Sequence, residues 1–176
     1  MKHDWSKLRP VSKLDQLAET VVRQQFILHS DFHIIQDYIN HKGANFRVAK
    51  IKKRVGASRY KPHEYEREFD VLIRQISLNK TNYASIPKSD LEMGLRDDLL
   101  VGLVLFFDNE EPGISLFPST VWNKPNLLYT ESTGRHQEYG ISINEKTIDE
   151  LRDNYHFSVT VAKIWVTENL QLLTLC

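Results

Sequence analysis

The stretch from Leu99 to Phe107 constrains this chain more than any other. It is nine residues long, wholly uncharged, and includes Gly102. A membrane-spanning helix needs about 20 apolar residues, so the run is too short to be one, and no membrane partner is expected. It reads instead as a strand buried on both faces, the position of a central strand. Asp108 to Gly113 forms a turn, Ile114 to Phe117 returns as the partner strand, and Pro118 ends it.

The segments on either side supply the rest of a sheet and its cover. Ser12 is placed to cap a helix, with Asp15 three residues on. Leu14, Leu17, Val21, Val22 and Leu28 recur at helical spacing up to about His29 and Ser30. Phe32 to Ile39 and Phe46 to Lys53 read as an antiparallel hairpin around a turn containing Gly43. Val55 to Glu68 reads as a loop, with Gly56 and Pro62. Phe69 to Ser77 fits a helix through Phe69, Leu72, Ile73 and Ile76, and a strand through Phe69, Val71 and Ile73; the strand is preferred.

Further on, Ser89 predicts a capped short helix over Asp90 to Arg96, and a loop follows Trp122 as far as about Glu138. Tyr139 to Ile143 reads as a short strand. Asn144 caps a helix over Thr147 to Asn154. Val159 to Val166 reads as a strong strand, with Leu170 to Leu175 as its hairpin partner. The order predicts a mixed α+β (α/β) domain: a central mixed β-sheet in one layer, flanked by helices. Residues 1–11 form an N-terminal arm and 12–176 the single domain.

With 176 residues, 41% of them hydrophobic, the chain is long enough to bury a real core. Its one cysteine, Cys176, permits no internal disulfide and no multi-cysteine metal site. The first ten residues lack an apolar signal core, so a cytoplasmic chain is expected. In that arm, Trp5 beside Lys2, Lys7 and Arg9 offers an anchor for a protein partner or a second copy of the chain; docking on its own domain is the alternative.

Formal net charge is zero, but its distribution is uneven. Lys42, Arg47, Lys50, Lys52, Lys53, Arg54, Arg59 and Lys61 follow one another with no acid between. Such a block suits phosphates of DNA or RNA, with Arg47, Lys53, Arg54, Arg59 and Lys61 as the contacts. The alternative is a solvated strand and loop whose charge is balanced elsewhere in the fold. Lys50 and Lys52 on one strand face also suit protection of an edge strand. Glycine-rich phosphate loops, His-Glu-x-x-His pairs and Gly-x-Ser-x-Gly elbows are absent. The seven histidines are scattered singly.

One constellation carries more. Ala18-Glu19 lies on the first helix, Asp37 near the next strand, and Lys50 and Lys52 on the strand after a glycine-containing turn. Asp90-Leu91-Glu92, Leu99 to Phe107 and Ile114 to Ser119 follow. Over residues 12 to 122 this order resembles the PD-(D/E)XK restriction-endonuclease-like superfamily. The resemblance implies a restriction-endonuclease-like core, with Glu19 and Asp37 as Mg²⁺ ligands and Glu19, Asp37, Lys50 and Lys52 as the catalytic set. In that chemistry carboxylate oxygens hold the metal, the metal activates water, and the lysine assists.

The chain departs from that pattern on its basic strand. Read with Lys50, the acidic position is Val48; read with Lys52, it is Lys50; the remaining register pairs Ala49 with Ile51. No register holds an acid two residues before a lysine. Glu64, Glu66 and Asp70 are the nearby acids able to substitute. The resemblance therefore implies a degenerate nuclease-like domain with weak or no catalysis, binding nucleic acid or a partner in a nucleic-acid-processing or defence system. The alternatives are an active Mg²⁺-dependent nuclease with a migrated ligand, and an assembly protein with no nucleic-acid role.

Overall fold

A computed structural model describes residues 11–29, 31–36, 43–52, 64–78, 80–107 and 110–157. The first helix, α1 (Val11–Leu28), leads into β1 (Phe32–Gln36) and β2 (Phe46–Ile51). After these come β3 (Tyr65–Ser77), β4 (Tyr83–Pro87), β5 (Leu99–Phe106) and β6 (Gly113–Pro118). The chain continues through β7 (Tyr129–Ser132), β8 (Glu138–Ser142) and α2 (Glu145–Tyr155). Among the described residues no helix is long and apolar enough to cross a membrane.

Five strands form the main sheet in the order β1-β2-β3-β5-β6. Among the described strands only β3 and β5 pair in parallel, with Asp70 opposite Leu99 and Ser77 opposite Phe106. A parallel pair needs a long crossover, and β4 lies within it. Every residue of β5 is buried, as its unbroken apolar run predicts. The sheet is thus mixed and β5 is internal to it.

Alternation then assigns the two faces of β3. Phe69, Val71 and Ile73 join Phe46, Val48, Leu100 and Val104 against Leu14, Ala18, Val22 and Phe26 of α1. Leu72 and Ile76 face the other way, with Val101, Leu103 and Phe117. The helix sits close over the centre of the sheet at Gly102. A Cβ there would lie 2.9 Å from Ile73 Cδ1 and 3.3 Å from Val22 Cγ1.

The second face corrects the single-layer expectation. It is covered by a second sheet, in the order β4-β8-β7, together with Leu151 of α2. Neither β4 nor β7 is read from the sequence, because each is short and offers few apolar residues to a two-residue period. Burial of Ala84 and Ile86 on β4, and of Tyr129 on β7, comes from the layer beneath.

Two other readings change. The helix expected over Asp90 to Arg96 is a single 3-10 turn, Lys88–Asp90, without a side-chain cap from Ser89. Gly94, at φ 67°, adopts the left-handed conformation that stops a helix. The expected loop up to Glu68 is already strand from Tyr65. There, Glu64, Glu66 and Glu68 meet Lys52, Lys50 and Arg47 across β2. By contrast, Asn144 caps α2 as its sequence predicts. Its side chain accepts from the Lys146 and Thr147 amides, and Thr147 Oγ1 accepts from Asn144 N. The strand expected over Val159 to Val166 and its partner lie outside the described residues, as does the arm carrying Trp5.

Candidate functional site

Leu14, Ala18, Val22 and Phe26 point α1 into the core at four-residue steps. That places Asp15, Gln16 and Glu19 along the helix flank above the start of β2 and the middle of β3. Asn45 comes up from the turn before β2, and Ile73, Arg74 and Gln75 come from β3. Together these residues line a cavity of about 390 Å³.

The polar groups of this cavity form a chain. Glu19 Oε1 accepts from Arg23 Nε at 2.8 Å, and Glu19 Oε2 accepts from Asn45 Nδ2 at 2.9 Å. Asn45 Oδ1 in turn accepts from the backbone amide of Ile73 at 2.8 Å. The Asn45 backbone N–H donates to Val71 O at 2.7 Å, so Asn45 joins helix, turn and strand. Arg23 lies over the Phe46 ring, 4.4 Å from its centroid. Gly43 sets the turn. It has φ 68°, and a Cβ would stand 1.8 Å from Asp90 O, so no other residue fits there.

Arg74 closes the cavity from below and directs its donors elsewhere. Nη1 donates to Ile73 O at 2.9 Å, Nε to Ser85 O at 3.2 Å, and Nη2 to Asp90 at 3.4 Å. Burial lowers its pKa, opposed by the charges of Asp90 and Asp15.

The residues singled out in the sequence are spread over several places. Glu19 is in the cavity. Lys50 lies five residues beyond Asn45, roughly 16 Å of extended chain, and pairs with Glu66 at 3.2 Å. Lys52 is farther along and faces Glu64 at 4.0 Å. Arg47 points away from α1, on the opposite face of β2 from Phe46 and Val48. Its Nε meets Asp70 at 2.7 Å, and Asp70 also binds Arg96 Nη2. Arg96 Nε reaches Asp98 at 2.7 Å. The Asp70 hydrogen bond raises the Arg47 pKa, against the effect of burial. Asp37, Lys53, Arg54, Arg59 and Lys61 lie outside the described residues.

Asn45, Arg74 and Gln75 are site residues that sequence reasoning passes over. The available signal for Asn45 was its place directly after the Gly43 turn, where a polar residue enters a strand. Arg74 and Gln75 stand in a mostly apolar strand, where their polarity is the anomaly.

Mg²⁺ is the metal the resemblance implies. It needs hard oxygen ligands in an octahedron, commonly from one or two carboxylates with substrate phosphates. Both Glu19 oxygens already accept hydrogen bonds, one from a guanidinium, and the neighbouring Asn45 nitrogen is a donor rather than a ligand. Among the described residues no three of His, Cys, Asp or Glu gather into a metal-binding group. The described residues of this cavity therefore do not fit the ion. No protein-family model, no curated protein and no solved structure matches the chain.

Proposed function

We propose that this chain is a nuclease-like domain that does not hydrolyse phosphodiesters and acts as a binding module in nucleic-acid processing or defence. The observation that carries this reading is the Asn45 amide donating to Glu19 at 2.9 Å. Metal-dependent hydrolysis needs carboxylates converging on one ion and a cation near the scissile phosphate. Here an amide donor occupies the carboxylate's free oxygen. Its own oxygen is taken by the Ile73 amide, and no lysine lines the cavity among the described residues.

The cross-strand pairs favour binding by something other than the β2 bases. Arg47, Lys50 and Lys52 each face an acid. In this reading the phosphate contacts are Lys53, Arg54, Arg59 and Lys61.

The test is incubation of the full chain with single- and double-stranded DNA and RNA in Mg²⁺ or Mn²⁺. The expected result is intact substrate. Cleavage that Glu19→Gln or Asp37→Ala abolishes overturns the proposal and favours an active nuclease. A second readout is metal binding. Asn45→Asp sets a second carboxylate beside Glu19, so Mn²⁺ should raise the thermal midpoint of that variant and leave the wild-type chain unmoved.

A further inference from the structure

The last described residues return to α1. His156 bridges to Ser115 of β6, and the Phe157 N–H donates to Ile114 O at 2.8 Å. The Phe157 ring is buried, with its centroid 5.0 Å from that of Phe26 near the end of the helix. The chain beyond Phe157 therefore sets out beside the C-terminal end of α1.

That end carries an apolar surface that the described fold leaves bare. Ile27 is 69% exposed and Leu28 62%. Among the described residues they are the one pair of exposed large hydrophobics adjacent in the chain; Tyr65, Tyr83, Met93 and Leu127 stand singly. The core does not call on them, since Leu14, Ala18, Val22 and Phe26 supply the buried stripe of α1.

The chemistry of the following segment suits this surface. From Val159 to Cys176 the only charged residues are Lys163 and Glu168, and Val161, Ile164, Trp165 and Val166 fall close together. Removing such apolar area from water is the main favourable term in folding. Four extended residues span about 13 Å, so Val161 is within reach of the helix end. Other parts of the chain are less suited. Residues 1–10 join α1 at Val11, about 25 Å from Leu28 along the helix axis. Residues 53–63 hold Lys53, Arg54, Arg59 and Lys61, a poor match for two aliphatic side chains.

From these observations we infer that the segment Val159–Val166 docks across the last turn of α1 and covers Ile27 and Leu28. The exposed end of the helix is then a docking surface for the chain's own C-terminal segment. The inference is independent of the binding-module reading above, and the outcome of a cleavage assay does not bear on it.

The experiment uses the full chain with Cys176→Ser and Lys163→Cys, which puts a single nitroxide label at a polar position in the middle of the segment. ¹⁵N–¹H spectra are compared with the label oxidised and reduced. The amides of Ile27, Leu28 and His29 should lose intensity, while those of Leu14 and Asp15 at the other end of α1 keep it. Adding Ile27→Ser and Leu28→Ser, both at exposed positions outside the core stripe, should restore the lost intensity. In the chain with Cys176 and Lys163 intact, the same serine pair should make Trp165 more accessible to acrylamide quenching, with Trp165→Phe identifying its share of the signal.

Equal losses at both ends of α1 overturn the inference, as do losses confined to other elements. So do losses that persist in the double-serine chain or quenching that the serine pair leaves unchanged. A mixture of ¹⁵N-labelled chain without nitroxide and unlabelled chain with nitroxide tests for a second copy. Loss of the Ile27 and Leu28 signals there assigns the surface to an intermolecular contact and overturns the inference as well.

Discussion

Asp70 is a buried carboxylate held between two guanidinium groups. Its side chain is 5% exposed, and it takes Arg47 on one side and Arg96 on the other. Ser119 adds to the site by bonding both the amide and the carbonyl of Arg96 at 2.9 Å. A buried carboxylate is tolerated only with such partners, and removing it takes a charge-assisted hydrogen bond from each arginine, which Glu68 beside Arg47 and Asp98 beside Arg96 only partly replace. Asp70→Ala should therefore destabilise the fold by about 3 kcal/mol, measured by urea unfolding. A loss below about 1 kcal/mol, the range of exposed pairs, would show that the cluster is solvated. In the sequence Asp70 was visible only as an acid available near the basic strand. Its partners stand 23 and 26 residues away, and no local pattern identifies them.

At the level of elements, Asn45 fastens α1 to the sheet. One amide group bonds the Glu19 carboxylate of the helix and the Ile73 amide of β3. Asn45→Ala leaves the Ile73 N–H without its acceptor, which costs about 2 kcal/mol. Glu19→Gln preserves an acceptor for Asn45 and should cost less than about 1 kcal/mol. Chemical denaturation of the two variants checks the order, and an equal or reversed order would mean that the helix is held by its apolar face alone. That apolar face was legible, since Leu14, Val22 and Phe26 announce a helix at the right period and α1 follows it. The clasp was not, because Glu19 looked like one of several candidate acids and Asn45 like a turn residue. Lys50 and Lys52 shared a strand face in the sequence, but their charge meets Glu66 and Glu64 rather than the cavity.

Across the whole molecule, the central sheet carries a core on each face. The second core is rich in aromatic rings: Phe117, Trp122, Tyr129 and Tyr155 lie with centroids 5.2 to 6.2 Å apart where they meet. Burial raises the pKa of both Tyr129 and Tyr155. The unfolded chain releases these phenolic protons near pH 10 while the folded chain retains them. Unfolding then releases protons, so stability falls as the pH climbs past about 10. Alkaline unfolding followed by circular dichroism should show this, and Tyr129→Phe with Tyr155→Phe should move the midpoint to higher pH. An unmoved midpoint would assign the alkaline loss to other groups.

The sequence by itself determined the elements whose signal is local. These are β5 from its unbroken apolar run, the return of β6 after a turn, α1 from its helical period, and α2 from the Asn144 cap. Each depends on residues within a few positions of one another, where backbone geometry alone sets the spacing. Only the tertiary structure decided the second sheet, the direction of Arg47 away from α1, and the membership of the cavity. Those depend on which layer covers a short strand and which donor meets which acceptor across the chain. Asn45 lies 26 residues from Glu19 and 28 from Ile73. At such separations the choice of partner is made by packing, which brings the groups together after the local pattern has had its say.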